Sequence, residues 1–171
     1  MSKTLQEVLA KAANYQQALV ESKAAIAENR KVWNATTNNL IKSVFMTVVQ
    51  QAPQLNWDPR FVEALENMDV LTLGFKSESS GIVGQINGVF KFFAKESGRL
   101  VYSQVYNGEI YVGITYPYVE NHVEQQPHKF IGKFCPCDIT VEMVLEHIDE
   151  YLEEMSTWET GTRKIIGFFN S

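Results

Sequence analysis

The stretch that decides the fold is "RLVYSQVYNGEIYVGIT", residues 99 to 115. Apolar and polar side chains alternate on both sides of Asn107-Gly108, and this dipeptide is the strongest short-range signal for a β-hairpin. A two-residue loop there would pair Tyr106 with Glu109. The stretch therefore predicts two antiparallel strands in a defined register.

That register assigns the side chains to two faces, because successive residues of a strand point to opposite sides of the sheet. Val105 would lie opposite Ile110, and Val101 opposite Ile114, on one apolar face. The second face, here called the predicted aromatic face, comprises Phe90, Phe92, Tyr102, Gln104, Tyr106 and Tyr111. An antiparallel sheet commonly keeps one face polar, so we expect a helix, a ligand or a protein partner to cover this one.

Alternating runs on either side of the hairpin extend the sheet. They occupy residues 70–77, 82–86, 89–95, 99–106 and 109–116, with turn residues between them that include a second Asn-Gly pair at Asn87-Gly88. Strands that follow one another with short turns usually pair as neighbours. The sequence therefore predicts a five-stranded antiparallel β-meander within residues 69–117.

Helical periodicity precedes the sheet, in residues 1–67. Thr4 and Glu7 form a capping-box signature at the start of a long helix that extends to about Asn29. Its apolar stripe is narrow and rich in alanine, which suits close packing against another helix in a hairpin or a dimer. The polar segment 34–40 predicts a kink, with a new helix cap near Asn38 or Asn39.

Two further helical signals follow the kink. A wide apolar face predicts a second helix that Pro53 stops. Asp58-Pro59 combines a capping residue with a first-turn proline, which predicts a short helix through Leu65.

The C-terminal part predicts a loop over residues 118–138, a helix over 139–156 and a docked tail that holds Phe168 and Phe169. The apolar stripe of this helix would face the sheet. We therefore expect an α+β fold, with N-terminal helices and a C-terminal helix packed on the five-stranded sheet. The length of 171 residues predicts a single domain over 1–171.

Composition and charge narrow the classes of partner. The formal net charge is -5 and the 15 basic residues are scattered, whereas a nucleic-acid interface needs clustered Lys and Arg. The N-terminus lacks the apolar core of a signal peptide, and no apolar run approaches the roughly 18 residues that span a bilayer. We expect a cytoplasmic protein with no nucleic-acid or membrane partner.

The loop contains a possible metal-ligand set. His122, His128, Cys135 and Cys137 are chemically suited to tetrahedral zinc, but their spacing differs from that of common zinc motifs. The alternative is that Pro136 and its flanking cysteines lead the backbone into the final helix, with Asp138 or Thr140 as its cap. We prefer that alternative and predict neither a bound metal nor another cofactor.

No nucleophile, metal-protease or phosphate-loop motif occurs in the chain. The sequence favours a protein-interaction or assembly module without enzymatic activity, with a homodimer as the preferred state. One alternative is a small-ligand-binding domain that uses the predicted aromatic face. Another is a zinc-stabilised or zinc-dependent protein that uses the four loop residues.

Overall fold

The structure, a computed structural model, describes residues 3–63, 65–120 and 122–165. Its helices are α1 (Leu5–Val32), α2 (Asn38–Gln51) and α3 (Val141–Ile165), and a π-helical turn, Trp33–Thr37, joins the first two. Its strands are β1 (Arg60–Val62), β2 (Val70–Gly74), β3 (Glu78–Ile86), β4 (Val89–Glu96), β5 (Arg99–Gln104), β6 (Ile110–Thr115), β7 (Tyr118–Val119) and β8 (Lys129–Phe134).

The strands form two antiparallel sheets. The large sheet has five strands in the order β1-β2-β5-β6-β8, and the small sheet has three in the order β3-β4-β7. The predicted α+β class, with a long N-terminal helix, a C-terminal helix and a five-stranded antiparallel sheet, is confirmed. Its five strands are not the five consecutive runs of the sequence, however, because β3 and β4 pair with each other and with β7 instead of joining the large sheet.

The core lies between one face of the large sheet and the helices α2 and α3. Side chains that face it from the sheet and from the helices are completely or almost completely buried; they include Leu71, Leu73, Leu100, Tyr102, Val112, Ile114, Ile41, Phe45, Val144, Ile148 and Tyr151. The apolar stripes of α2 and α3 therefore have the role that helical periodicity predicted for them.

The two Asn-Gly turns differ. Asn87 and Gly88 both have positive φ, so β3 and β4 are joined by the two-residue turn that the dipeptide predicts. Between β5 and β6 the backbone N–H of Val105 donates to the carbonyl of Glu109 instead, which leaves a three-residue loop. The side chain of Asn107 accepts from the N–H of Glu109 within this loop, and only Gly108 has positive φ there.

Because of this three-residue loop, the pairing of β5 with β6 differs from the predicted register by one residue. Tyr102 lies opposite Val112 and Gln104 opposite Ile110, whereas a two-residue turn would have placed Ser103 opposite Val112. A shift of one residue moves each side chain of β5 to the other face of the sheet relative to β6. Tyr102 and Gln104 consequently face the core, together with Ile110.

The short helix predicted from Asp58 to Leu65 is wrong. Residues Arg60–Val62 form β1, which pairs with the edge of β2. The carboxylate of Asp58 does not cap a helix but accepts hydrogen bonds from Arg60 and Arg99. Arg99 also donates to the hydroxyl of Thr72, so tertiary partners replace the local capping interaction.

The new cap predicted near Asn38 is wrong, because the backbone passes from α1 to α2 through one π-helical turn and no side chain caps the start of α2. The extra residue of such a turn changes the direction in which the following side chains point. Trp33 is completely buried and its indole reaches Asp69, while the hydroxyl of Thr37 reaches the carbonyl of Pro136. The side chain of Asn38, which the sequence assigned to a cap, donates to Asp69 instead.

The predicted loop over 118–138 contains two strands. β8 completes the large sheet beside β6, and β7 extends the small sheet. The C-terminal helix begins at Val141, where the hydroxyl of Thr140 accepts from the N–H of Met143, as predicted for a cap. It extends nine residues beyond the predicted end, from 156 to Ile165. Residues 166–171, which include both phenylalanines of the tail, lie outside the described residues.

Candidate interaction surfaces

The six residues of the predicted aromatic face do not form one surface. Tyr102 and Gln104 are fully buried in the core, whereas Tyr111 lies on the opposite face of the large sheet and packs against Phe130 and His128. Tyr106 is in the β5–β6 loop and is 79% exposed. Phe90 and Phe92 belong to the small sheet. The one-residue register difference and the separate hairpin together explain this dispersal.

Phe90 and Phe92 remain close to one another on an exposed face of the small sheet. Phe92 pairs with Val83 across the hairpin, and Phe90 pairs with Gln85. The opposite face of the same hairpin carries Phe93, which is buried against the imidazole of His122. The small sheet therefore exposes the apolar side chains of Val83, Phe90 and Phe92 together.

Tyr102 forms a buried polar pair with α3. Its hydroxyl lies 2.6 Å from Nδ1 of His147. Burial raises the pKa of the Tyr102 phenol and lowers the pKa of His147. A protonated phenol and a neutral imidazole then form the hydrogen bond, so the pair joins the sheet to the helix without placing a charge in the core. We interpret it as part of the packing, because Tyr102 is fully buried and His147 nearly so.

Gln104 is buried at the end of the same strand. Neither atom of its side-chain amide has a hydrogen-bond partner among the described residues. Its backbone N–H donates to the carbonyl of Asp69, which anchors β5 beside the segment that precedes β2. Such an unpaired amide costs stability unless a water reaches it.

The histidines and cysteines of the proposed zinc set do not converge. His122 packs against Phe93 and His128 against Tyr111, while β8 separates His128 from Cys135 by about 20 Å of extended chain. Among the described residues, the metal-ligand atoms that lie within 4.8 Å of one another belong to Cys135, Cys137 and Asp138. The absence of a metal stays a prediction for these three.

Helix α1 projects from the rest of the protein. None of its 28 residues is buried, and it exposes apolar side chains along its length, with Leu5 at 74% and Tyr15 at 69%. Its capping box is present, as predicted from Thr4 and Glu7. Near its C-terminal end, Asn29 and Arg30 donate to the backbone carbonyls of the β5–β6 loop.

The described residues form two clefts of several hundred cubic ångströms. The first, here called the α3 cleft, has a volume of about 570 Å³ and lies between α3 and the ends of β2 and β4. Apolar side chains such as Leu55, Phe75 and Leu152 line it, and Lys95 within it is paired with Glu78 and Glu159. The second cleft has a volume of about 450 Å³ and lies beside the π-helical turn.

Sequence reasoning missed both the second cleft and part of the exposed surface of α1. Asn38 was assigned to a cap, and no local pattern predicts that its side chain meets Asp69. On α1, the exposed Val8 and Tyr15 follow a 3.5-residue period, which the 3.6-residue period of a single amphipathic helix does not reveal.

No protein-family model, no curated protein and no solved structure matches this chain. Among the described residues, no helix combines the length and the apolar character that crossing a bilayer requires. The functional argument consequently rests on the geometry of the chain itself.

Proposed function

We propose that the protein is an assembly module that self-associates through α1. The observation that carries the proposal is the helix itself, whose 28 residues include no buried one. Seven of those residues are alanine, which supports a helix in water and also permits close approach of a second helix. A long helix without buried residues has its apolar side chains available to a partner.

Five of the eight large apolar residues of α1 follow the heptad period of a coiled coil, whereas Leu9, Val20 and Val32 lie outside it. When Leu5 is taken as position a, the a and d positions form a continuous seam on one side of the helix. The seam consists of Leu5, Val8, Ala12, Tyr15, Leu19, Ser22 and Ile26. Its four large side chains before Ser22 are all exposed. A 3.5-residue repeat keeps such a seam in register with a partner helix over several turns.

A second copy is the occupant that the charges of α1 favour. The helix contains four basic and three acidic residues, and the two signs alternate along it. Two copies of such a helix would not repel each other strongly, and twofold homodimers are the commonest oligomers. The seam and its flanking positions involve roughly 15 residues per copy, fewer than the roughly 20 to 30 of a standard interface, so we expect a moderate affinity.

The test compares two glutamate substitutions on the same exposed helix. Leu19→Glu places a charge in the seam, whereas the matched control Ala24→Glu places it at position f on the opposite side. Light scattering coupled to size exclusion should find a dimer for the wild type and for Ala24→Glu, and a monomer for Leu19→Glu. A wild type that is monomeric at every concentration, or equal behaviour of the two variants, would overturn the proposal.

Two tyrosines refine this test. Tyr106 flanks the base of the seam, in a groove that it shares with Lys23 and Ile26, whereas Tyr111 packs against Phe130 on the large sheet. Tyr106→Ala should therefore weaken the dimer by roughly tenfold or more. Tyr111→Ala should leave the dimer constant unchanged.

Small-ligand binding is the second candidate function, and the α3 cleft favours it. Its volume and mainly apolar lining are typical of ligand pockets. Because Lys95 is paired with two glutamates, an uncharged and largely apolar ligand fits best.

The fluorescent dye anilinonaphthalene sulfonate can probe the apolar part of the α3 cleft. Ser156→Trp fills the cleft and should abolish the fluorescence enhancement of the dye, whereas the control Thr157→Trp should not. Equal enhancement in both variants would eliminate this candidate.

A further inference from the structure

The second cleft, here called the π-turn cleft, is lined almost entirely by hydrogen-bonding side chains. It lies between the π-helical turn, the start of α2 and the segment that leads into β2. Its lining residues are Asn34, Asn38, Asn39, Lys42, Glu63, Leu65, Glu66, Asn67 and Asp69. Side chains of this kind provide many oxygen acceptors, so the cleft is suited to a ligand that donates hydrogen bonds.

Asp69 is held in position at the cleft by two donors. The indole N–H of Trp33 and the side-chain amide of Asn38 both donate to its Oδ2, over 2.9 Å and 3.0 Å. Trp33 is completely buried and Asp69 nearly so. The π-helical turn brings these donors to the carboxylate, and such turns occur frequently at functional sites.

Asn38 supplies the observation that points to a ligand. Its side chain is 6% exposed and lines the cleft, yet its Oδ1 has no hydrogen-bond partner among the described residues. Exchanging the amide nitrogen and oxygen would not remove the problem, because the oxygen would then face the carboxylate of Asp69. A buried acceptor without a donor lowers the stability of the fold, and a ligand that donates to it would remove that cost.

The charges of the cleft indicate the sign of the charge that the ligand carries. The charged groups that line the cleft are the carboxylates of Glu63, Glu66 and Asp69 and one ammonium group, that of Lys42. Lys42 is paired with Glu63 over 3.3 Å. Glu66 and Asp69 have no cationic partner within 4.0 Å among residues 3–63, 65–120 and 122–165. The uncompensated charge is negative, so the cleft favours a cation.

We propose that the π-turn cleft binds a small organic cation that carries N–H donors, either a guanidinium or an ammonium group. Its N–H groups would donate to the carboxylates of Asp69 and Glu66, and to Asn38 Oδ1 after this side chain turns toward the cleft, because that oxygen has almost no solvent-accessible surface. A bare metal ion fits less well, because within the described residues no three carboxylates of this cleft bring oxygens within 4.8 Å of one another. The planar guanidinium group, with its five donors, matches separated acceptors better.

The experiment titrates the full chain with agmatine, which carries both cationic groups, and with neutral butylurea of similar length. The readout is the indole N–H resonance of Trp33, because this proton is bonded to Asp69. Agmatine should shift the resonance saturably and butylurea should not. A shift by butylurea alone, an equal shift by both, or no shift by either would overturn the proposal.

Two variants locate the binding site. Glu66→Gln removes an exposed carboxylate of the cleft, and the matched control Glu124→Gln removes an exposed carboxylate elsewhere. Agmatine should bind about threefold to tenfold more weakly to Glu66→Gln, as expected for one partly screened charge pair, and with unchanged affinity to Glu124→Gln. Equal weakening in both variants would show only a general charge effect and would contradict the site.

Two further titrations identify the source of the cationic group and test the metal alternative. Tighter binding of N-acetylarginine amide than of agmatine would support the proposal with a basic protein side chain as the occupant, and the reverse order would support it with a free amine. Calcium or magnesium that shifts the Trp33 resonance where agmatine does not would overturn it. Because α1 does not line the cleft, these results are independent of the oligomeric state.

Discussion

The two Asn-Gly hairpins contain the same dipeptide and have different loops. At Asn87-Gly88 the loop projects beyond the small sheet, and a side chain on Gly88 would meet no atom within 4 Å. At Asn107-Gly108 the loop lies against α1, and a Cβ on Gly108 would lie 2.8 Å from the Cβ of Asn29. The free hairpin has the two-residue turn that its residues prefer, whereas the packed hairpin has a loop that also satisfies a neighbouring helix.

The same contrast holds for the two sheets that the hairpins belong to. The large sheet has α2 and α3 packed on one face, and its side chains on that face are almost inaccessible to solvent. The small sheet buries Phe93 but leaves Val83, Phe90 and Phe92 exposed. Local sequence preference therefore predicts turn geometry well where no other element is packed against the turn, and less well where one is.

The largest expected effect is on the free energy of unfolding, and it compares a buried residue of the large sheet with an exposed residue of the small sheet. Leu100→Ala, on the fully buried face of β5, should lower the free energy of unfolding by about 2 to 5 kcal/mol because it leaves a cavity. Phe92→Ala, at a position that is 72% exposed, should change it by no more than about 0.5 kcal/mol. Urea denaturation measures both. Similar losses would mean that the small sheet has a covered face, for instance in an oligomer.

The second prediction compares the cost of a glycine substitution in the two hairpin loops. Gly88→Ala should cost about 1 kcal/mol, because alanine is strained at positive φ. Gly108→Ala has the same strain and also the close contact with α1, so it should cost about 2 to 3 kcal/mol. Thermal denaturation of the two variants provides the comparison. Equal costs would show that α1 moves away from the loop without loss.

The third prediction concerns pH. Burial lowers the pKa of His147 in the folded protein below the ordinary value of 6.5. As the pH falls, His147 is therefore protonated in the unfolded chain before it is protonated in the folded protein. Stability should therefore be constant with respect to this group above about pH 6.5 and should decrease as pH falls below it, by at most about 1.4 kcal/mol per pH unit. Urea denaturation at several pH values measures the slope.

His147→Gln should remove this contribution to the slope, because the variant has no imidazole in the core. The matched change is His122→Gln beside the small sheet, which leaves the contact between Tyr102 and His147 intact. A slope that disappears in His122→Gln and persists in His147→Gln would reverse the assignment.

The last prediction concerns the cysteines at the end of β8, where we expect a small effect on stability. Cys135 is half-buried and Cys137 is exposed. The double change to serine should therefore cost less than about 1 kcal/mol, and a chelator should leave the melting temperature of the wild type unchanged. Metal analysis of untagged protein completes the test. One equivalent of zinc, lost together with thermal stability on chelation, would contradict this prediction.

For the candidate sites, the sequence predicted the long helix α1 and its N-terminal cap correctly, because helical periodicity and capping depend on residues less than eight positions apart. It could not predict that Asn38 and Asp69 meet at the π-turn cleft. These residues are 31 positions apart, and the contact depends on how α2 packs against the large sheet. The predicted aromatic face failed for a similar reason, since one residue of loop length reassigns every side chain of β5.

By itself, the sequence determined the α+β class, the antiparallel pairing around both Asn-Gly turns and the cap of the C-terminal helix, because periodicity, turn residues and capping act over short distances. The tertiary structure alone decided which strands share a sheet, that Arg60–Val62 is a strand, and that Tyr102 and Gln104 are buried. These outcomes depend on hydrogen bonds and packing between distant segments. An unpaired sheet edge or a free donor can then override a local preference of about 1 kcal/mol.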